Sequence, residues 1–210
     1  MKVLCIFLAG ILICITGCTT GYNVHVNAFS ELTEPIESDS AIYVVLDSNA
    51  PNPVFDNRIK ARIEQLLKHQ GLTPSAQDEP FDYTLSFETG VDSQQVLDYG
   101  PMHHSYVGFH YGYWSDYHFG YFTHYPYYET FHTQRLSLKL IKTAWQDNSG
   151  QDKVVWICDA IIGTRGHDPR DTIDFLLVGC LEYFGIDTIR QKTLFIEEDD
   201  YRLMQIKSLR

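Results

Sequence analysis

The sequence predicts an α+β fold, a two-layer sandwich in which a mixed or antiparallel sheet carries two helices on one face and a long aromatic- and His-rich insert. Three observations predict it. Short β-branched or alternating segments recur along the chain. Two segments place apolar residues at helical spacing, and each of these opens on Asn-Pro or Asp-Pro.

The elements follow in order. Val24 and Val26 alternate with His25 and Asn27, the pattern of a first strand. Ser30 to Ser40 holds Pro35 and several acids and reads as a connecting loop. Ala41 to Leu46 is a continuous apolar, β-branched run, expected of a strand covered on both faces. Asn52 then caps a helix whose first position is Pro53. Phe55, Ile59, Ile63, Leu66 and Leu67 form its apolar stripe, and Gly71 stops it by adopting a conformation most residues avoid.

Tyr83, Leu85 and Phe87 alternate with Thr84, Ser86 and Glu88, as in a strand with one wet face. Leu136 to Ile141 repeats that pattern, and Val154 to Gly163 is a more apolar strand preceded by a turn at Asp147 to Gly150. Asp168-Pro169 opens a second helix with a stripe from Ile173 to Phe184, closed by Gly185. The segment from Ile186 onward has no clear period.

The first residues carry an address. Lys2 is followed by an uncharged apolar run from Val3 to Ile15, too short for the roughly 20 residues a membrane-crossing helix needs. A charged start, a short apolar middle and a small residue before a cut site are the pattern of a secretory leader. Ile15-Thr16-Gly17-Cys18 resembles the bacterial lipobox, with Ile15 in place of the usual leucine. The resemblance implies lipidation of Cys18, which then becomes the new N-terminus and the membrane anchor. Thr19 stands where an inner-membrane retention signal would place Asp, so the expected location is the bacterial outer membrane, facing the periplasm.

This divides the chain into a leader (1–17), a lipidated tether with the first strand (18–40), an α+β domain (41–185) with an insert (99–133), and a tail (186–210). The whole chain carries 16 Lys+Arg against 27 Asp+Glu, a net charge of −11. That balance argues against nucleic acid or anionic headgroups, which are approached through clustered cations. Cys5 and Cys14 belong to the leader. Cys158 and Cys180 remain as the one pair available for a disulfide in an oxidising compartment, or as two buried thiols.

The lipobox, the segment Ile42 to Gly71 with its Asn52-Pro53 helix start, and the strand Asp82 to Thr89 form one half of a familiar layout. The Tyr/Gly-rich insert, the strand Leu136 to Ile141, Val155-Trp156 and the last predicted helix form the other. Together they resemble an uncharacterised bacterial lipoprotein family, a domain of unknown function. Its layout is similar to that of lipoproteins that activate cell-wall synthases or seat secretion pores. The resemblance implies a small α+β domain in the cell envelope. It brings no catalytic residues with it, and fold alone does not give function.

The insert is the unusual stretch. Tyr99 to Phe131 interleaves aromatics with Gly108, Gly112, Gly120 and five histidines, and no single period fits it. Three readings stand side by side. It is a low-complexity segment without a ligand, or a contact surface for an envelope protein or a glycan through Tyr113, Trp114, Tyr117 and Tyr121. Alternatively it is a metal site built from His110, His118 and His124. Local acids are few, which favours the aromatic reading over the metal one.

His167 beside Asp168 is a weaker candidate pair, because Asp168 is explained as a helix cap. Trp145 and Trp156 read as core anchors. No phosphate loop, nucleophile elbow, His-Glu-x-x-His or paired-cysteine zinc motif is present. The expectation is a lipid-anchored accessory or scaffolding protein with no catalysis and no cofactor. A metal-binding lipoprotein is the alternative.

Overall fold

The computed structural model describes residues 20–46, 51–103, 122–143, 153–166 and 168–207, without the side chains of 96, 98–103 and 122–125. In chain order the strands are β1 (Gly21–Ser30), β2 (Ala41–Val44), β3 (Thr73–Ser75), β4 (Tyr83–His103), β5 (Phe122–Lys142), β6 (Lys153–Thr164) and β7 (Lys192–Glu197). The helices are α1 (Pro53–His69), α2 (Ile173–Glu182) and α3 (Tyr201–Lys207), with a 3-10 turn at Pro169–Asp171.

The strands form one mixed sheet in the order β3-β2-β4-β5-β6-β1-β7. β2 runs parallel to β3 and β4, and the remaining pairs are antiparallel. The parallel step from β2 to β3 requires a crossover, and α1 supplies it.

Alternation along the central strands sends one set of side chains to the helices. Val24, Val26 and Ala28 of β1, Leu136, Leu138 and Leu140 of β5, and Trp156, Cys158, Ala160 and Ile162 of β6 are all buried. α2 lies against β1, β5 and β6, α1 against β2 and β3, and α3 against both other helices. Gly179 marks the tightest contact: a Cβ there would stand 2.8 Å from Val24 Cγ1, so only glycine lets α2 sit this close to β1. The opposite face of the sheet is wetter, with exposed Arg135 and Lys139 and with Phe29 56% exposed.

The predicted start of α1 is present as read. Asn52 Oδ1 accepts from the Phe55 N–H at 3.1 Å, satisfying a donor that has no partner within the helix. Gly71, just past its end, has φ +84°, where a side chain would be strained. Trp156 is a core anchor as expected. It donates from Nε1 to the Ile186 carbonyl at 3.3 Å and meets the Phe184 ring edge-on at 5.0 Å.

Several expectations are corrected. β2 buries Ile42 and Val44 and leaves Ala41 and Tyr43 half-covered, so it is not sealed on both faces. Asp168-Pro169 opens the 3-10 turn, and α2 begins only at Ile173. α2 has no single stripe: Ile173 to Leu181 are all buried, because the sheet covers one side and α1 and α3 the others. The tail folds, with β7 pairing to β1 and Leu203 and Ile206 of α3 buried. A third helix therefore joins the two expected.

The disulfide considered between Cys158 and Cys180 is not formed in the structure. Both are buried free thiols, and Cys180 Sγ faces the Cys158 carbonyl oxygen at 3.8 Å. Among the described residues no helix is long and apolar enough to cross a membrane.

Candidate functional site

The largest departure from the sequence reading is at the insert. Periodicity suggests neither strand nor helix from Tyr99 to Phe131, yet both flanks of that segment are strand. β4 and β5 pair without interruption from Tyr83↔Lys142 to His103↔Phe122. β6 leaves β5 at His132↔Thr164, and β2 accompanies β4 only from Tyr83 to Leu85. The ten pairs from Gln94↔Phe131 to His103↔Phe122 thus form a two-stranded ribbon beyond the sheet. At ~3.3 Å per residue it is about 30 Å long.

The base of the ribbon is fastened on both faces. On the helix face, buried Gln134 donates from Nε2 to the carbonyls of Gly166 and Asp168, at 3.4 and 3.2 Å, and accepts from the Thr172 hydroxyl. On the other face, Arg165 pairs with Glu129 at 2.9 Å and lies over the Phe131 ring at 5.8 Å from its centroid. Ser93 Oγ and His132 Nδ1, directly opposite each other, meet at 2.9 Å.

Backbone polarity along β4 is fixed by one bond. The Leu85 carbonyl accepts from the Val45 N–H at 2.9 Å, so odd-numbered β4 residues turn their N–H and C=O away from β5. From Phe87 to Tyr99 these groups have no strand neighbour among the described residues. Pro101 and Pro126, opposite His124 and Tyr99, belong to the same class of pair. Their missing N–H groups therefore face outward, and the ladder between β4 and β5 loses nothing. Pro101 also ends the run of outward donors on the β4 edge.

The helix face of the ribbon is open and mixed, with the exposed pair Gln95 and Thr130 next to its apolar residues. Leu97, 46% exposed, stands opposite Tyr128, 72% exposed, and Val91 on the same face is 38% exposed. From Ser86 to His103, β4 carries Glu88, Asp92 and Asp98 and no Lys or Arg. The edge strand is acidic.

Of the partner-binding candidates, Tyr113, Trp114, Tyr117 and Tyr121 lie outside the described residues. So do His110 and His118 of the metal alternative, the lipidation residue Cys18, and both Trp145 and His167. His124 is placed on β5 opposite Pro101 by its backbone. Among the described residues no group of three or more His, Cys, Asp or Glu is placed to hold a metal ion. Asp168 is a cap as read: its Oδ1 accepts from the Arg170 N–H at 2.9 Å and its carboxylate pairs with the Arg170 guanidinium. The open β4 edge was missed by periodicity. Its signal in the sequence is the pair Pro101 and Pro126, which edge strands tolerate and central strands do not.

No protein-family model matches the chain, and no curated protein matches it. Among solved structures it is similar to a PDZ domain protein from Parabacteroides distasonis ATCC 8503. That likeness has a TM-score of 0.47 and 15% identity, over 83% of this chain and 39% of the other. The chain therefore spans well under half the length of that protein. It is also similar to a leucine-to-methionine variant of PelC, a dodecamer from Paraburkholderia phytofirmans. There the TM-score is 0.42 and the identity 12%, over 75% of this chain and 94% of the other. Neither likeness bears on function.

Proposed function

We propose that this chain is a lipid-anchored accessory or scaffolding protein of the bacterial cell envelope, facing the periplasm and doing no chemistry. Its sheet and helices act as a two-layer α+β sandwich that holds out the β4–β5 ribbon, and the ribbon binds the partner. The observation that carries this reading is the open β4 edge from Phe87 to Tyr99, whose outward N–H and C=O groups have no strand neighbour among the described residues. An unpaired strand edge is a template for an extended segment of another chain, with main-chain bonds giving affinity and alternate side chains giving choice. The acids Glu88, Asp92 and Asp98 favour a partner segment with Lys or Arg at alternate positions. They disfavour a second copy of the same acidic strand.

Gln95→Pro tests the reading in the full chain. It removes an outward N–H and leaves the bonds to β5 in place, whereas Gln94→Pro removes an inward one and breaks the ribbon. Crosslinked envelopes should yield a partner with the native protein and with Gln95→Ala, and lose it with Gln95→Pro. Undiminished capture by Gln95→Pro would contradict strand addition at this edge.

A further inference from the structure

The ribbon and the start of the chain leave the sheet at the same end. Along β6, Ile161 pairs with His25, and three residues further Thr164 pairs with His132. The same step along β1 runs from His25 back to Tyr22, so the N-terminal end of β1 is level with the root of the ribbon. The chain stays fixed to the sheet as far as Thr20, whose carbonyl accepts from the Glu198 N–H at 2.9 Å. Gly21 is pressed against β7, where a Cβ would meet the Ile196 carbonyl at 2.5 Å.

Cys18 lies four residues before Tyr22, so the anchor reaches at most about 14 Å past that level. The ribbon runs about 30 Å past that level at ~3.3 Å per residue. β5 and β1 are two strands apart, so a twist of roughly 20–25° per strand leaves a component along β1 of roughly 20 Å. That exceeds the reach of the tether by roughly 6 Å.

Resting on the lipid-anchor reading of Cys18, we propose that the outer ribbon is a second membrane contact, seated in the headgroup region of the bilayer that holds the anchor. A protein held this closely by its β1 end cannot point the ribbon at the membrane without touching it. The residues suit that place. Tyr128 stands beside Leu97 on the exposed helix face of the ribbon, and rings with one polar tip collect at membrane–water interfaces. A two-stranded ribbon alone is marginal in water, and a surface along it supplies what the missing third strand does not. Glu129, paired with Arg165, lies on the other face from Leu97 and Tyr128, so one face can meet lipid while that charge stays out of it. Contact is therefore through rings and apolar groups, and anionic lipid should not strengthen it.

The full-length processed protein, reconstituted in phosphatidylethanolamine–phosphatidylglycerol vesicles, tests this. A nitroxide is placed at Leu97→Cys in one sample and at Ile189→Cys in another. Ile189 is 95% exposed near the opposite end of β1, where the Thr188 N–H bonds the Ala28 carbonyl. Collision with oxygen relative to a water-soluble nickel chelate reads immersion in lipid, and the mass of the N-terminal peptide reads acylation. The expected result is a severalfold higher oxygen-to-nickel ratio at 97 than at 189. Tyr128→Cys on the facing strand should behave like 97, which guards against a local effect of one label. Acylated Cys18 with equal, water-like ratios at 97, 128 and 189 would overturn the ribbon contact and leave the anchor standing. Lipid contact at 97 without acylation would uphold the ribbon and overturn the anchor. Water-like ratios without acylation would overturn both.

Discussion

Arg62 of α1 and Asp174 of α2 form an ion pair inside the helical layer, with Nη1 2.8 Å from Oδ1 and each residue at least nine-tenths buried. Two helices from distant parts of the chain are thereby locked in one relative position. Removing one partner leaves the other charged and without water, which costs about 3–5 kcal/mol. Asp174→Ala and Arg62→Ala should each lower unfolding stability by about that much. Lys60→Ala, which breaks the half-buried pair with Glu64 at 3.7 Å and removes the cation 4.8 Å from the Tyr43 ring centroid, should cost only about 1 kcal/mol. Urea titrations followed by circular dichroism check the ordering. Equal effects at both pairs would contradict the structural role given to Arg62.

Gly179 tests the seating of α2 on β1. A methyl group there meets Val24 Cγ1 at 2.8 Å and Val26 Cγ2 at 3.3 Å, so backbone or side chains must move. Gly179→Ala should destabilise by about 1–3 kcal/mol, more than offsetting the gain in helix propensity of about 1 kcal/mol. Val24→Ala in the same chain should recover part of the loss. A Gly179→Ala protein more stable than the native one would show that α2 sits farther out.

Asp200 fastens the start of α3. Its carboxylate accepts from the Arg202 guanidinium at 2.7 and 3.0 Å and from the Arg202 N–H at 2.9 Å. The side-chain bonds from Arg202 are the main reason its pKa is held below the ordinary value of 3.8. A depressed carboxyl pKa gives stability that is present above the unfolded value and is lost as pH falls through the folded one. Asp200→Asn keeps an acceptor for the Arg202 N–H but loses the charge paired with its guanidinium, so it should cost roughly 0.2–1 kcal/mol at pH 7. The difference from the native protein should shrink below about pH 3.8. A difference unchanged down to pH 2 would contradict the assignment.

Cys158 and Cys180 should be silent thiols. Burial is the chief cause that pushes the Cys180 thiol well above its ordinary pKa, and the thiolate is the reactive form. Alkylation of the native protein should be slow at both residues. Unfolding without reductant should release two reactive thiols from the domain. Loss of both in the unreduced, unfolded protein would demonstrate a disulfide between β6 and α2.

Much of the fold is legible where a buried face imposes a rhythm. Leu136, Leu138 and Leu140 alternate because α2 covers one side of β5, and Asn52 announces α1 because the first turn of a helix needs an acceptor. The ribbon has no such cover. With both faces open, nothing forces alternation on Tyr99, Tyr127 and Tyr128, and Gly100, Pro101 and Pro126 interrupt whatever period remains. β7 and α3 are too short to show a period: Leu194 with Ile196, and Leu203 with Ile206, are their only aliphatic pairs facing the core. The fixed reach from Thr20 is a matter of pairing, which no linear pattern displays.

The central claim is an ordered ribbon with one open edge, and amide hydrogen exchange followed by NMR on the free protein measures it directly. The N–H groups of Gln94, Val96 and Asp98 point to β5, and those of Ser93, Gln95 and Leu97 point away from it. Slow exchange at the even positions alternating with fast exchange at the odd ones is the predicted result. Fast exchange at all six would show that the ribbon is not formed, and slow exchange at all six would show that its edge is already covered.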